Sequence, residues 1–341
     1  MPRRELDETD VRVRPGRGSR PRTKQRPAHA DAVRGFVTGV DRGRYQTLVD
    51  GRTVVAMKAR DLGAQRVVPG DEVDLVGDLS GHAGTLARIV RIAERRTVLR
   101  RTADDTDAAE RVVVANADQL VIVTALADPT PRTRMVDRCV VAAYDAGMHA
   151  LLVLTKADLA DPGPLAAVYA AAGVDAVVTR REHESIVGLD TLRTALAGRV
   201  SVLVGHSGVG KSTLVNALVP GAMRATGEVN EVTGRGRHTS TSAVALAVPT
   251  DEGPTWVIDT PGVRSFGLAH VDPAHLLAAF TDLAQVASAS CPRGCTHLVD
   301  SPDCALDEWA EHDGTAGADR HARVDSLRRL LVSRLGADDP D

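Results

Sequence analysis

The chain has 341 residues, too many for one ordinary domain and enough for two or three. Aromatic residues make up only 2% of it, which argues against nucleic-acid binding by stacking on an aromatic platform. The net charge is −3, so any contact with nucleic acid must come from local basic patches. The sequence has no apolar run of about 18 residues and no secretory signal at its start, so we expect a cytoplasmic protein without a membrane segment.

The first 31 residues predict a disordered basic tail. Between Arg12 and Arg26 there are seven basic residues and no acidic one, with hardly any apolar side chains. Such a segment cannot bury enough apolar area to order itself. It can be a solvated tail or an electrostatic arm for RNA phosphates, and composition leaves both open.

Residues 32–100 predict a small β-barrel. Five short alternating runs are separated by turn signals such as Asp50-Gly51 and Pro69-Gly70, which favours an OB-fold. The predicted strands are residues 34–40, 45–49, 53–57, 72–76 and 85–92. A barrel of this size can also be a plain structural module, so the pattern alone does not establish RNA binding.

Residues 101–272 predict a doubly wound α/β domain. Residues 119–125 and 150–155 are continuous apolar runs, typical of strands buried on both faces. Helical patterns occupy 132–146 and 164–172, and further strands are predicted at 176–178, 200–204, 243–248 and 256–258. Strand–helix alternation of this kind indicates a parallel sheet covered by helices.

A phosphate-binding loop lies inside this domain. Residues 205–212 match the pattern G-x-x-x-x-G-K-S/T, with a predicted strand before them and a helix after them. Lys211 would reach the β and γ phosphates, and the Ser212 hydroxyl would bind Mg²⁺. The residues expected to contact the nucleotide here are Gly205, His206, Ser207, Gly208, Val209, Gly210, Lys211, Ser212 and Thr213.

A second motif indicates that the nucleotide is GTP. Thr155-Lys156-Ala157-Asp158 ends a buried strand and is similar to the N/T-K-x-D guanine motif. Asp158 can accept hydrogen bonds from the ring N–H and the exocyclic amine of guanine, a pair of donors that adenine lacks. Lys156 would lie along the base plane. Val178-Thr179-Arg180, where GTPases place a backbone contact to the base, is a poor match.

The third motif, Asp259-Thr260-Pro261-Gly262, matches D-x-x-G. Asp259 would hold Mg²⁺, and the Gly262 N–H would donate to the γ-phosphate until hydrolysis removes that group. In an ordinary GTPase the phosphate loop precedes the guanine motif, whereas here the guanine motif comes first. The order predicts a circularly permuted GTPase domain, a rearrangement that compact domains tolerate.

Catalysis is assigned to the segment between these motifs. Residues 226–242 predict a first switch loop, in which Thr239, Ser240 and Thr241 are candidates to cap Mg²⁺ and the γ-phosphate. Val263 stands where many GTPases carry a water-orienting Gln, so another group must orient the water. We favour His238 for that role beside Lys211, and the alternative is a solvated loop histidine with the catalytic group supplied by a partner.

Three of the four cysteines cluster near the C-terminus with one histidine. Cys291, Cys295, His297 and Cys304 are the ligand types of tetrahedral Zn²⁺, and the site should be closed and structural. Cys139, within a predicted helix, is most simply a buried apolar residue. The last predicted helix, 318–335, is expected to carry a basic face with Arg328, Arg329 and Arg334. These features predict a helical zinc-binding domain over residues 273–341.

The combined layout resembles the ribosome small-subunit-dependent GTPase family, of the RsgA/YjeQ type, over residues 33–335. Matching pieces include Asn116-Ala-Asp-Gln119, Asp137-Arg138 and Gly262-Val-Arg-Ser-Phe266-Gly. The resemblance implies binding of GTP and GDP, contact with the 30S ribosomal subunit and its 16S rRNA, and hydrolysis during late subunit maturation. It also implies that the catalytic histidine is His238 and that the protein is a monomer. Three departures are His206 where Gln is common, a shorter Cys–Cys spacing and Ser240 within a Thr run.

Two other functions compete with this interpretation. A nucleotide-regulated RNA-binding or scaffold protein with negligible catalysis would use the same tail, barrel and zinc module. A small-molecule kinase could use the phosphate loop, but it would lack a phosphoacceptor motif and leave residues 155–158 unexplained. Hydrolysis stimulated by ribosomal subunits would exclude the first alternative, and competition with ATP would decide the second.

Overall fold

A computed structural model describes residues 29–102, 110–221, 243–260, 266, 268, 271–311 and 317–334. Met1–Asp31 and Ala32–Asp341 are separate units, and the second contains all of the elements described here. The predicted N-terminal tail lies almost entirely outside the described residues, and almost all of the predicted first switch does too. Most of the segment that follows Thr260 also lies outside them.

The first five strands close into a barrel. They are β1 (Val33–Asp41), β2 (Arg44–Val49), β3 (Arg52–Lys58), β4 (Glu72–Gly77) and β5 (Ala87–Ile92). The order is β1-β2-β3-β5-β4, and β4 pairs back onto β1. Strands β3 and β5 pair in parallel, whereas the other pairings among these five strands are antiparallel. Alternate side chains point inward, as the pattern requires, and Val37, Val54, Leu75 and Ile89 are fully buried. The predicted barrel is confirmed.

A hairpin of β6 (Val98–Thr102) and β7 (Glu110–Ala115) leads from the barrel into the next domain. Asn116 follows this hairpin and has a positive φ of 55°. Its side-chain amide donates a hydrogen bond to the Gly70 carbonyl at 2.9 Å and accepts one from the Arg96 backbone N–H at 2.8 Å. A Cβ on Gly70 would lie 1.9 Å from the Ala115 carbonyl oxygen. Only glycine allows this close approach between barrel and hairpin.

Within the part of the chain that the structure describes, the central sheet has six strands. They are β8 (Gln119–Ala125), β9 (His149–Thr155), β10 (Asp175–Val178), β13 (Val200–Gly205), β14 (Val244–Val248) and β15 (Thr255–Asp259), with the small hairpin β11 (Arg180–Glu182) and β12 (Ser185–Val187) between β10 and β13 in the chain. The order is β10-β9-β8-β13-β15-β14, and β14 runs antiparallel to β15 while the other neighbours are parallel. Strands β8 and β9 are buried almost throughout, as predicted for a parallel sheet covered on both faces.

Helices cover both faces of this sheet. They are α1 (Thr133–Asp145), α2 (Gly163–Ala170), α3 (Leu189–Leu196) and α4 (Lys211–Leu218). Two separate apolar cores result, one on each face. Strand β14 also pairs with barrel strand β1 at Gly39 and Val244, so barrel and central sheet are continuous. The rings of Phe36 and Trp256 pack 5.0 Å apart across this junction.

The described C-terminal residues form the helices α5 (Pro273–Ala279), α6 (Thr281–Ser290), α7 (Ala305–Glu311) and α8 (Gly317–Arg334). Asp272 begins α5 by accepting the Ala274 N–H at 2.9 Å, with Pro273 in the first turn. Tyr144 packs edge-on against Phe280, with centroids 6.2 Å apart, and joins α1 to these helices. Among the described residues, no helix combines the length and apolar composition needed to cross a bilayer.

Helix α8 lies within one residue of the predicted last helix, and the three arginines assigned to its basic face contact the rest of the protein. Arg328 donates to the His297 carbonyl at 3.1 Å and pairs with Asp307 at 2.8 Å. Arg329 donates to Asp137 at 3.2 Å, and Arg334 donates to the Val271 carbonyl at 2.6 Å. These arginines attach α8 to the rest of the protein, because a guanidinium between packed helices needs such partners. Spacing along one helix does not reveal them.

Candidate functional site

The three nucleotide motifs meet at one edge of the central sheet. Parallel strands β9, β13 and β15 end there at Thr155, Gly205 and Asp259. Carboxyl ends of parallel strands share an edge, and ligands of open α/β sheets bind there. The motifs are therefore brought together although the guanine motif precedes the phosphate loop in the chain.

The phosphate loop connects β13 to α4. Gly210 has a φ of 93° immediately before α4 begins at Lys211, a conformation that favours glycine. Val209 is buried beneath the loop, whereas Ser207, Gly208, Ser212 and Thr213 are exposed. His206 is half-buried, and its Nδ1 lies 3.1 Å from the Ser207 carbonyl oxygen. The N-terminus of α4 thus offers backbone N–H groups and a positive helix dipole to an anion.

Thr155 joins the guanine motif to the phosphate loop. Its buried hydroxyl donates to the Val209 carbonyl oxygen at 2.7 Å. Lys156 follows with a φ of 57°, and its ammonium group donates to the Asp128 carbonyl. The Thr155 hydroxyl fixes the distance between the predicted base-binding and phosphate-binding elements.

A cavity of about 320 Å³ opens beside this contact. The exposed Asp158 side chain lies at its wall, as expected of a group that must reach a ligand. Thr179 lines it too, with its backbone N–H bonded to the Leu154 carbonyl at 2.7 Å. The lining residues are Thr155, Lys156, Asp158, Leu159, Thr179, Arg180, Arg181, Ile186, Gly210, Thr213 and Leu214. The cavity thus reaches from the guanine motif to the first turn of α4.

Lys211 and Asp259 contact each other at the phosphate end of the site. The Lys211 ammonium pairs with the Asp259 carboxylate, and both side chains are partly exposed. Next to this pair, the buried Thr260 hydroxyl donates to the Leu203 carbonyl oxygen at 2.9 Å. The end of β15 is thereby attached to the strand that enters the phosphate loop.

Several predicted site residues lie outside the described residues. They are His238, Thr239, Ser240, Thr241 and Gly262. Their assigned roles stay predictions.

A separate group of ligand atoms lies in the C-terminal helical region. The side chains of Cys291, Cys295, His297 and Cys304 bring one ligand atom each to within 4.8 Å of one another. From the Nδ1 atom of His297, the three sulfur atoms lie 3.7, 3.4 and 3.8 Å away. A tetrahedral zinc site with Zn–S of about 2.3 Å and Zn–N of about 2.0–2.1 Å has N···S edges of about 3.6 Å. The group can therefore hold a metal ion.

Electrostatics favour the ligand forms of His297 and Cys295, whereas burial raises the pKa of Cys304 to about 11. Burial lowers the pKa of His297, and the nearby Arg328 guanidinium lowers it further, so the imidazole is neutral and can act as a ligand. Burial alone would raise the pKa of Cys295, but hydrogen bonds from Ser301 and the His297 backbone bring it below its usual value. Cys139 differs, because burial in the α1 core raises its pKa to about 12. That thiol is an apolar core residue, as predicted.

Comparison with known proteins identifies the family. Residues 92–269 match the family model described as RsgA GTPase. The chain belongs to the RsgA GTPase family. The small ribosomal subunit biogenesis GTPase RsgA of Gemmatimonas aurantiaca is 36% identical over 297 residues, covering 85% of this chain and 92% of that protein. The protein of the same name from Pseudomonas savastanoi is 38% identical over 251 residues, covering 72% and 69%.

Two solved structures share the fold. YjeQ from Thermotoga maritima aligns with a TM-score of 0.65 at 24% identity, over 90% of this chain and all of that one. YloQ, described as a circularly permuted GTPase, aligns with a TM-score of 0.64 at 20% identity, over 92% and 99%. These likenesses confirm the predicted fold class of barrel, permuted α/β GTPase domain and helical region with a metal-compatible cluster. The predicted enzyme class, a GTP hydrolase, is the activity of the RsgA GTPase family.

In this RsgA-family chain, sequence reasoning missed some contributors to the site. The hairpin β11–β12 supplies Arg181 and Ile186 to the cavity beside Thr155, but its strands are only three residues long, too short for a clear alternating pattern. The Asp128 carbonyl that receives Lys156 is a backbone group, which no side-chain pattern reveals. Arg138 on α1 donates to the Phe266 carbonyl at 2.6 Å, a contact between residues 128 positions apart. The Asp137-Arg138 pair matches the family pattern, but the sequence does not reveal this partner.

Proposed function

We propose that this chain is a GTPase that binds the small (30S) ribosomal subunit and hydrolyses GTP during the late maturation of that subunit. The observation that carries the proposal is the hydrogen bond from Thr155 to Val209, which ties a guanine-selective motif to a phosphate loop. The relatives named small ribosomal subunit biogenesis GTPase RsgA, which align over most of this chain, support the ribosomal partner.

In the proposed complex, guanine occupies the cavity beside Thr155. Asp158 accepts its N1–H and exocyclic amine, and Lys156 packs along the ring. The loop of residues 205–213 surrounds the phosphates with backbone N–H groups, and Lys211 exchanges Asp259 for the β and γ phosphates. The exposure of Asp158 and the partial exposure of Lys211 support these roles, since neither side chain must leave a buried position.

Mg²⁺ would be held by the Ser212 hydroxyl and the Asp259 carboxylate, which are the oxygen ligands this ion prefers. Both residues stand at the strand and helix ends beside the phosphate loop. When bound, the ion neutralises charge that develops on the phosphate oxygens. Thr239, Ser240 or Thr241 would cap the ion and the γ-phosphate, and Gly262 would donate its N–H to that phosphate.

His238 is proposed to orient the attacking water, because Val263 cannot do so. A neutral imidazole nitrogen can accept a hydrogen bond from water near neutral pH, which suits a group placed near the γ-phosphate. Intrinsic turnover should be slow, since a partner is expected to complete the arrangement.

We propose Zn²⁺ for the C-terminal cluster, held by Cys291, Cys295, His297 and Cys304. Three sulfurs and one imidazole nitrogen favour Zn²⁺ over oxygen-seeking ions. With four protein ligands the ion would have no open position, so its role would be structural.

We also propose domain limits of 32–100, 101–272 and 273–341, after a basic tail of 31 residues. The start of α5 at Pro273 supports the second internal limit, while the last barrel strand ends at Ile92, before the first. The ribosomal partner implies contact with 16S rRNA and a cytoplasmic location, and we expect the free protein to be a monomer.

The experiment is GTP turnover by the purified chain, alone and with 30S or 50S subunits. We expect 30S subunits alone to stimulate hydrolysis. His238→Ala should keep GTP affinity and lose turnover, whereas His82→Ala, an exposed barrel histidine, should behave as wild type. If GTP binds but 30S subunits give no stimulation, the ribosomal partner is wrong. If His238→Ala retains turnover, the catalytic role of that residue is wrong.

A further inference from the structure

We propose that Arg138 is a positioning residue for GTP hydrolysis, which holds the chain that follows Asp259 against the G domain by binding the Phe266 carbonyl. The inference rests on the proposed function in one respect, namely that Asp259 and Gly262 contact Mg²⁺ and the γ-phosphate. It concerns a residue outside the nucleotide motifs, on a helix that does not line the base cavity.

The contact itself is short and buried. Arg138 is 6% exposed, and its Nη2 atom lies 2.6 Å from the Phe266 carbonyl oxygen. Phe266 is 1% exposed and belongs to the apolar core that covers α1. Burying a guanidinium is unfavourable unless hydrogen bonds compensate for lost water, so Arg138 strongly favours a chain path that keeps this carbonyl in reach.

Arg138 forms one of two anchors around the proposed γ-phosphate contact. The first anchor is Thr260, whose hydroxyl donates to Leu203 in the strand that enters the phosphate loop. The second anchor is the Phe266 carbonyl oxygen, which accepts a hydrogen bond from Arg138. Gly262 lies between them, four residues before Phe266. A chain of four residues spans at most about 14 Å, so the position of Phe266 limits how far from it Gly262 can lie.

Helix α1 is itself held at this point from its other side. Asp137, next to Arg138, accepts a hydrogen bond from Arg329 of α8 at 3.2 Å. The Arg329 guanidinium also lies 5.1 Å from the Tyr169 ring centroid. Arg329 therefore attaches α8 to α1 beside Arg138 without contacting Phe266, so removing it tests whether any loss at this interface is enough to lower kcat.

The experiment compares three variants of the full chain. Arg138→Met removes the donor while keeping an apolar stem, and Arg138→Lys restores one donor to the same carbonyl. Arg329→Met is the matched control, because it removes another arginine from the α1 interface without touching Phe266. For each, GTP affinity, kcat, KM and thermal stability are measured, together with hydrogen exchange of the peptide that contains Phe266.

We expect Arg138→Met to lower kcat by about 10- to 100-fold, the penalty of a misplacement near 1 Å, while GTP affinity stays within about threefold. Arg138→Lys should recover part of kcat. Arg329→Met should lower thermal stability with kcat within about threefold of wild type. Exchange at the Phe266 peptide should rise in Arg138→Met only.

The proposal is overturned if folded Arg138→Met keeps the wild-type kcat. It is overturned as well if kcat falls as far in Arg329→Met as in Arg138→Met. It is also overturned if GTP affinity falls in step with kcat, which would indicate general damage to the site. Should Arg138→Met fail to fold, Arg138→Lys decides: unchanged kcat with faster exchange at Phe266 contradicts the positioning role. Failure of the wild-type chain to hydrolyse GTP would instead contradict the proposed function, and this inference with it.

Discussion

At the nucleotide edge of the sheet, the two charged side chains beside the phosphate loop contact each other. In the cysteine cluster, by contrast, four ligand atoms already lie within 4.8 Å of one another. Under the proposed function, Lys211 and Asp259 would exchange their pairing for phosphates and Mg²⁺, whereas the ligand atoms of the cluster are already gathered without a metal. On this proposal, the first site changes its partners during a nucleotide cycle and the second only stabilises the fold.

The largest expected effect is at the cluster. We expect Cys291→Ser to lose the metal and to lower the melting temperature by on the order of 10 °C, because structural zinc contributes much of the folding free energy of such modules. Metal content by mass spectrometry and thermal unfolding check this. Cys139→Ala is the control, since that thiol lies in the α1 core, and it should keep the metal. Metal retained by Cys291→Ser would show that this residue is not a ligand.

At the nucleotide edge, Asp158→Asn should weaken GTP binding about 100-fold, or roughly 2.7 kcal/mol, because the amide cannot accept both guanine donors. An amide offers one donor and one acceptor, so xanthosine triphosphate should bind this variant better than GTP. Competition binding of the two nucleotides measures the change. Asp175→Asn, at the opposite end of the neighbouring strand β10, should leave both affinities unaltered. Unchanged GTP affinity in Asp158→Asn would place the base elsewhere.

Thr155→Val sharpens the comparison further. The change leaves the Val209 carbonyl without its donor, which costs about 1–3 kcal/mol, and GTP affinity should fall about tenfold as the two motifs lose their connection. Thr47→Val is a matched control, because this buried barrel threonine also donates to a carbonyl, that of Val54, at 2.9 Å. Both variants should lose similar stability in thermal unfolding. If Thr155→Val and Thr47→Val bound GTP with equal affinity, the connecting role of Thr155 would be contradicted.

These contrasts also explain what the sequence can predict. The phosphate loop, guanine motif and cysteine cluster are each local in sequence, so residue type and spacing are enough to find them. The barrel follows from alternation, since inward residues such as Val54 and Leu75 keep a period of two. Asn116 at the barrel junction, Arg138 at Phe266 and Arg329 at Asp137 act through partners distant in the chain. No local period encodes such contacts, which is why the partners of the arginines on α8 could not be predicted from the sequence.

The smallest expected effect belongs to neither site. His275 lies 2.8 Å from Asp145 on the surface, and this hydrogen bond raises the pKa of His275. Because the folded pKa exceeds the unfolded one, the stabilisation is complete below about pH 6.5 and is lost as pH rises through the folded pKa. His275→Gln should flatten that dependence, and the change should be small because solvent screens this exposed pair. Thermal unfolding between about pH 5.5 and 8.5 measures it, and a steeper profile in the variant would contradict the pairing.

Hydrogen exchange of the full chain tests the central contrast most directly. It is measured without nucleotide and with a non-hydrolysable GTP analogue and Mg²⁺, each before and after metal chelation. We predict that the nucleotide protects residues 205–214 and 255–260 and leaves residues 291–304 unchanged, whereas chelation exposes 291–304 even with nucleotide bound. Protection of 291–304 by nucleotide alone, or none at 205–214, would contradict the division into a changing site and a fixed one.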